Sequence, residues 1–224
     1  MTAKDMFSHR VSILTGHYGT GKTEVSVNLA LALAAEGEQV MLADLDIVNP
    51  YFRSRERRPL LEKAGVRVIS SSQACSDADV PALPAELLTI LENREIRGIL
   101  DIGGDPVGAR VLARFQPKIV QEDYQLIFVL NANRPEVRDA ESAAAYLRSI
   151  EAVTGLTCSG LVNNTHLCGE TTPAEIRKGA ALAQEVSRQT GIPILCHTAE
   201  RRFLESLSDL GEPVFPIAIN MKKP

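Results

Sequence analysis

The chain has 224 residues, of which 45% are apolar and 23% are charged. These values are ordinary for a folded domain and exclude disordered or collagen-like chains. The net charge of −4 and an aromatic content of 4% argue against a dedicated nucleic-acid-binding protein, which would carry a basic excess and stacking aromatics. No apolar run reaches the ~18 residues that span a bilayer, and the polar N-terminus is not a signal peptide. We therefore expect a cytoplasmic protein with no membrane or specific nucleic-acid partner.

Short apolar runs alternate with longer amphipathic ones along the chain. The apolar runs are nearly continuous, which is typical of strands that are covered on both faces in a parallel sheet. The pattern predicts an α/β fold, namely an open, mostly parallel, doubly wound sheet of about seven strands in three layers. We expect one domain over residues 1–224. The predicted strands are 10–14, 39–43, 66–70, 98–102, 125–130, 159–163 and 193–197.

Three helices are predicted between these strands. Segment 22–36 places apolar side chains at spacings of four, and a glycine follows it. Segment 136–153 follows a proline, and segment 172–189 begins with a threonine and has a glutamate three residues later, which is a capping-box spacing. Segment 71–95 is less regular, and only its leucines near the end predict a helix.

A phosphate-binding loop is the strongest motif in the sequence. Residues 16–23 match G-x-x-x-x-G-K-[ST] in full and lie between a predicted strand and a predicted helix. Lys22 supplies positive charge to the outer phosphates, while the Thr23 hydroxyl is a Mg²⁺ ligand. The alternative is a glycine-rich turn with an incidental lysine. The predicted nucleotide-binding residues here are Gly16, His17, Tyr18, Gly19, Thr20, Gly21, Lys22, Thr23 and Glu24.

Two acidic clusters follow predicted strands, at the edge where open α/β sheets bind their ligands. Asp101 closes an apolar strand, so we expect it to hold Mg²⁺ or its waters. Asp46 and Asp105 are candidates to orient an attacking water, and with Lys22 they form the predicted catalytic set. Gly104 is predicted to sense the γ-phosphate. The alternative for the three aspartates is that they cap helices or turns.

The motifs together resemble a known family. Segments 19–23, 27–30 and 39–46 are similar to the opening of the MinD/ParA group of P-loop ATPases, and residues 101–105 resemble the D-x-x-G-D switch II of the nitrogenase iron protein. The group also includes Mrp-type carriers and the CobQ/CobB amidotransferase ATPase domains, and Asp46 falls on its switch I aspartate. The resemblance implies binding of ATP or ADP with Mg²⁺, ATP hydrolysis, and coupling of the nucleotide state to a homodimer or a protein partner.

Three features depart from this group. His17 stands where the group has a second lysine that delivers charge across a dimer, so we expect slow turnover. Gly108 stands where the iron protein has its cluster cysteine, so no bridging iron–sulfur cluster is expected there. The polar tail at 220–224 differs from the basic amphipathic membrane helix of MinD-type proteins.

The sequence also favours adenine as the base. The resemblance places Asn163 at the position of an asparagine that reads adenine, and the sequence after it does not match the guanine motif N-K-x-D. The Asn163 amide carries both a donor and an acceptor, which suits the N6/N7 edge of adenine. The alternative is a turn residue at a strand end.

Two other functions remain open from the sequence. An ATP-dependent small-molecule kinase or ligase, related to dethiobiotin synthetase or CobB, would bind an anionic substrate with the basic run at 53–58 and the turn at 131–134. A nucleotide-sensing regulator that hardly hydrolyses ATP is favoured by His17 in place of lysine. Stimulation of ATP consumption by a metabolite would favour the kinase or ligase, whereas stimulation by a protein would favour the partner-coupled ATPase.

Overall fold

A computed structural model describes residues 1–46, 57–70 and 86–220. The strands are β1 Val11–Thr15, β2 Gln39–Leu45, β3 Arg67–Ser70, β4 Ile96–Ile102, β5 Tyr124–Leu130, β6 Cys158–Asn163, β7 Ile194–Glu200 and β8 Val214–Ile217. The helices are α1 Ala3–Met6, α2 Lys22–Ala35, α3 Arg58–Lys63, α4 Glu86–Glu92, α5 Pro106–Ala109, α6 Gln116–Ile119, α7 Ala140–Thr154 and α8 Pro173–Thr190. Residues 53–56 of the basic run and residues 71–85 of the less regular segment lie outside the described residues.

The described strands form one sheet in the order β3-β2-β4-β1-β5-β6-β7-β8, and every neighbouring pair is parallel. Buried side chains of α1, α2 and α3 join an apolar cluster on one face of the sheet, and those of α4, α7 and α8 join a second cluster on the other face. The predicted α/β class, with its open, doubly wound parallel sheet in three layers, is therefore confirmed. Crossing helices on both faces bring the carboxyl ends of all the strands to one edge, where ligands bind in such sheets.

All seven predicted strands are present, with ends shifted by up to three residues. The prediction of about seven strands omitted β8, which is short and contains Pro216. A proline has no N–H to donate, so it is tolerated in a strand at the edge of a sheet. Among the described strands, β8 is an edge strand that pairs with β7 alone, and the sequence pattern alone did not reveal it.

The helices follow local capping chemistry. The predicted segments 22–36 and 172–189 agree with α2 and α8 within one residue at each end, and a helix near residue 90 is present as α4. The predicted start at residue 136 is wrong, because α7 begins only at Ala140. Asp139 caps α7 by accepting the N–H of Ser142 at 2.8 Å, and the proline before residue 136 opens a separate 3-10 turn instead.

The core lies on both faces of the sheet. Val25, Leu29 and Leu33, one turn apart on α2, are fully buried, and each such side chain contributes roughly 1.5–3 kcal/mol relative to an exposed one. This burial fixes α2 against β2 and β4, and so it fixes the loop that precedes α2. Among the described residues, none of the helices has the length and apolar character that crossing a membrane requires.

Candidate functional site

The loop at 16–23 connects β1 to α2 and has the backbone that its glycines require. Gly16 has φ +141°, and a Cβ added there would lie 2.4 Å from the carbonyl oxygen of Val129. Gly21 has φ +85° and precedes α2 without a side-chain cap. The first N–H groups of α2 therefore remain for another acceptor, and a phosphate oxygen is the acceptor that such a helix end favours.

Lys22 lies inside this loop and is only 6% exposed. Its Nζ donates to the carbonyl of His17 at 3.3 Å. Burial lowers the pKa of Lys22, and the carboxylates of Asp101, Asp46 and Asp105 oppose that change. All three predicted acidic residues therefore act on the same ammonium group, which places the predicted catalytic set in one cluster.

Asp101 is the most perturbed carboxyl group of the site. It is 1% exposed and pairs in register with Asp44 of the neighbouring strand, which is 3% exposed. Burial and the Asp44 charge raise the pKa of Asp101 to about 7, against the opposing effects of the Thr23 hydroxyl and Lys22. Within the described residues, neither Asp101 carboxylate oxygen has a hydrogen-bond partner of normal geometry. An unpartnered buried anion needs a cation or a donor.

A magnesium ion fits this arrangement. Hard oxygen ligands are its preference, and in nucleotide sites it takes one or two protein ligands and completes its shell with phosphate oxygens and water. Thr23 and Asp101 offer a hydroxyl and a carboxylate beside the phosphate loop. In the described part of the chain, no group of three or more His, Cys, Asp or Glu side chains is placed to hold a metal ion. The hydroxyl of Thr23 and the carboxylate of Asp101 fit a cation that would take its remaining ligands from a nucleotide and water.

Asp46 and Asp105 have different surroundings. Asp46 is 8% exposed, its N–H donates to Oδ1 of Asp44 at 3.2 Å, and its carboxylate lies 3.3 Å from a Cβ built on Gly103. Asp105 accepts the N–H of Gly108 at 2.6 Å, at the start of α5. Asp105 therefore makes one contact of the kind expected for a helix cap. A water-orienting role for Asp46 or Asp105 stays a prediction.

Gly104 lies against the phosphate loop, as its predicted role requires. A Cβ built on Gly104 would lie 2.7 Å from Nζ of Lys22 and 2.8 Å from the backbone nitrogen of Tyr18. The hydroxyl of Tyr146 on α7 donates to the Gly104 carbonyl. Sequence reasoning missed Tyr146, because a contact over 42 residues leaves no local signal.

The His17 side chain contacts Tyr146 and lies near Glu136. Its ring lies edge-on to Tyr146 with centroids 4.9 Å apart, and its Nδ1 lies 3.2 Å from the Tyr18 carbonyl oxygen and 3.8 Å from Oε2 of Glu136. The next side chain, Tyr18, is 55% exposed. His17 therefore packs on Tyr146, the same tyrosine whose hydroxyl donates to the Gly104 carbonyl.

Asn163 and Asn164 differ in what they contact. Asn163 is fully buried, donates to the carbonyl of Ile176 at 3.0 Å and accepts the N–H of Thr165 at 3.0 Å. These hydrogen bonds hold the end of β6 in place. Base recognition by Asn163 stays a prediction, and it would require the side chain to give up these bonds for bonds to the base. Asn164 instead donates to the carbonyl of Thr20 in the phosphate loop at 2.8 Å. No sequence motif distinguishes the two adjacent asparagines, so only the folded chain shows that Asn164 contacts the loop.

Two further predicted residues stabilise the loop and its helix. Thr20 is fully buried, and its hydroxyl donates to the carbonyl of His17 at 2.9 Å. Glu24 accepts from the Asn28 amide at 3.1 Å and from the N–H of Asn220 at 2.7 Å. Glu24 therefore connects the first turn of α2 to the segment that follows β8.

Comparison with known proteins finds a family model and several relatives that match part of the chain. The family model for ParA, described as NUBPL iron-transfer P-loop NTPase, matches residues 6–54. The chain is 36% identical over 95 residues to the cytosolic Fe-S cluster assembly factor cfd1 of Emericella nidulans, which covers 42% of this chain and 26% of that protein. It is 50% identical over 40 residues to an iron-sulfur cluster carrier protein of Escherichia coli K12, over 18% of this chain and 11% of the carrier. The matches thus span about a quarter or less of these relatives.

Solved structures support the same fold. The FtsY cell division protein of Thermotoga maritima matches with a TM-score of 0.54 at 22% identity, over 82% of this chain and 59% of that one. The signal recognition particle 54 kDa protein of Aeropyrum pernix, solved with GDP, matches with a TM-score of 0.52 at 23% identity, over 83% of this chain and 40% of that one. At this identity the likeness shows the fold alone.

Proposed function

We propose that the chain is a MinD/ParA-like P-loop NTPase that binds ATP with Mg²⁺ and hydrolyses it slowly, a proposal supported by its partial matches to the ParA family model and to Fe-S carrier proteins. Residues 1–224 act in this proposal as one nucleotide-binding domain of the cytoplasm, and the nucleotide state controls a partner protein or a dimer surface. The phosphates lie along residues 19–23, with Lys22 on the outer phosphates. The phosphate loop, the acidic strand ends and the match to cytosolic relatives support this proposal.

The main support for the proposal is the buried carboxylate of Asp101. It is buried without a normal hydrogen-bond partner among the described residues, and it acts on both Lys22 and Thr23. Buried carboxylates of this kind destabilise a protein unless a ligand or a proton neutralises them. A Mg²⁺ ion bound with the nucleotide would neutralise this carboxylate, which explains how an unpaired anion could be retained beside the phosphate loop.

The roles of the other residues follow from their positions. Thr23 and Asp101 would hold Mg²⁺, which would neutralise charge on the phosphate oxygens. Asp46 orients the attacking water, since its carboxylate lies beside Gly103 at the entrance to switch II. The N–H of Gly104 contacts the γ-phosphate, because the Gly104 backbone already lies against Lys22. Loss of that phosphate releases the switch loop and changes the surface that carries it.

Slow hydrolysis is proposed from His17. An imidazole that packs on Tyr146 and lies near Glu136 does not place a permanent positive charge on a nucleotide, whether in its own chain or in a partner. The same contacts favour the second candidate function, a nucleotide-sensing regulator with very little turnover.

The test compares the wild-type chain with His17→Lys. We expect the lysine variant to hydrolyse ATP faster at unchanged ATP affinity. The control variant Arg138→Lys, which also introduces a lysine but at an exposed position before α7, should have no effect on hydrolysis. Undetectable hydrolysis in the wild type with tight ATP binding would establish the regulator instead. Stimulation by a metabolite pool, with transfer of the γ-phosphate to a small molecule, would contradict both and indicate a kinase or ligase.

A further inference from the structure

The loops after β5 and β6 flank the phosphate loop on the side opposite to the acidic residues. Asp101 lies near the end of β4 and Asp46 follows β2, on one side of β1, whereas β5 and β6 lie on the other side. If the outer phosphates of a nucleotide lie near Asp101, its α-phosphate and sugar are expected on the side of the loops after β5 and β6. Any polar groups that those loops present to the phosphate loop face the nucleoside end.

Arg134, in the loop after β5, is one such group. Its Nε donates to the carbonyl of Gly19 at 2.7 Å, and a Cβ built on Gly19 would lie 2.9 Å from the guanidinium carbon. Its two terminal nitrogens form no hydrogen bond or ion pair with any residue in the described part of the chain. A guanidinium presents its N–H groups as a planar fork, and the fork that remains here suits a phosphate oxygen.

His166, in the loop after β6, is the second group. The N–H of Cys168 donates to its Nδ1 at 3.3 Å, which leaves the ring proton on Nε2. Burial and the charge of Arg134 lower the pKa of His166, so the ring is neutral near pH 7. Nε2 is buried, lies 3.0 Å from a Cβ built on Gly21, and has no partner among the described residues. A buried N–H donor of this kind is costly unless a ligand accepts from it.

The two loops hold these groups in place. The N–H of Ala132 donates to the Thr165 hydroxyl at 2.9 Å, which joins one loop to the other. The N–H of Arg134 donates to the carbonyl of Asn131 at 3.0 Å in a tight turn, and Asn131 is fully buried. Because the turn and its neighbour are fixed before any ligand arrives, their side chains are positioned in advance for binding.

We propose that Arg134 and His166 bind the α-phosphate and the ribose of the nucleotide, and so select nucleotides over inorganic pyrophosphate. The proposal rests on the proposed function, because it assumes that the outer phosphates lie on Lys22. Arg134 donates from its terminal nitrogens to the α-phosphate, and the Nε2–H of His166 donates to an oxygen of the sugar. Both are positioning residues that make no contact with the reacting phosphate.

The experiment measures binding of ADP and of inorganic pyrophosphate, each with Mg²⁺, by calorimetry. Arg134→Gln should weaken ADP binding about tenfold or more, as expected for the loss of a charge-assisted hydrogen bond. Pyrophosphate can place both of its phosphates beside Lys22 and away from Arg134, so its binding should change less than about threefold. His166→Phe keeps the ring but removes the donor, so we expect a smaller loss for ADP alone. Arg138→Gln removes the same charge from an exposed neighbour and should change neither ligand.

The outcomes separate this proposal from the proposed function. Equal losses for ADP and pyrophosphate in Arg134→Gln would mean that Arg134 only supports the Gly19 carbonyl, which overturns the inference. Unchanged ADP affinity in a folded His166→Phe variant would overturn the role of His166, even if Arg134→Gln does not fold. The proposed function itself would be refuted if the wild type bound neither ligand. It would also be refuted if Lys22→Ala left the affinity for both ligands unchanged.

Discussion

Asp101→Asn should stabilise the free protein while it weakens binding of Mg²⁺ and nucleotide. Burial and the neighbouring Asp44 raise the pKa of Asp101 from 3.8 to about 7. Above pH 7 the folded chain therefore holds an anion that is more favourable in the unfolded chain, at a cost of about 4 kcal/mol. The amide has the same shape and no charge, so we expect the variant to recover most of that free energy of unfolding.

The sign of the pH dependence follows from the raised pKa. Between the two pKa values the folded state holds a proton that the unfolded state has lost, so stability falls as the pH rises through this window. The difference between Asp101→Asn and the wild type should therefore be below about 2 kcal/mol at pH 5 and reach its full size above pH 7.

Thermal unfolding in EDTA from pH 5 to pH 8 measures this difference. For a chain of this length about 1 kcal/mol corresponds to about 2–4 °C, so we expect a rise in Tm on the order of 10 °C at pH 8. Asp44→Asn is the matched control, because loss of the neighbouring charge lowers the pKa of Asp101 and should recover part of the stability. A variant that is less stable than the wild type at pH 8, or a difference that does not change with pH, would refute this reasoning.

Three other predictions concern switch II and a buried histidine. Tyr146→Phe removes the hydroxyl that donates to Gly104 and should lower the free energy of unfolding by about 1 kcal/mol in urea titrations, with no loss if that bond is not formed. Gly104→Ala places a methyl 2.7 Å from Nζ of Lys22, so Mg²⁺-dependent ATP binding should fall at least tenfold, and unchanged calorimetry would contradict the contact. Burial lowers the pKa of His197, against the effect of Glu212, so stability should fall with pH below about 6.5. In thermal unfolding, the stability of the His197→Gln variant should change less with pH than that of the wild type. An unchanged pH dependence would mean that another group causes the effect.

The sequence predicts the sheet well because its strands are buried on both faces. Runs such as Ile127 to Leu130 are apolar throughout and 0% exposed, so their identity depends on burial alone. The exceptions have local causes: Pro216 conceals an edge strand, and Asp139 moves the start of α7 by one turn. Each is a case in which one side chain overrides the average pattern.

The candidate site is predictable only where its chemistry is contiguous in sequence. The phosphate loop is one continuous motif, and the structure places Lys22 and the predicted aspartates together. The pairing of Asp44 with Asp101 depends on strand register, which the sequence does not specify between strands so far apart. The contacts of Asn164 and Arg134 with the loop span 144 and 115 residues, so only the folded chain reveals them.

Calorimetric titration of the full chain with ATP and Mg²⁺ tests the central claim most directly. We expect one site per chain, a requirement for Mg²⁺, and an affinity that falls at least a hundredfold in Lys22→Ala, because the variant leaves the phosphates without their buried ammonium partner. Binding that is equally tight in Lys22→Ala, or no uptake of adenine nucleotide by the wild type, would contradict the account.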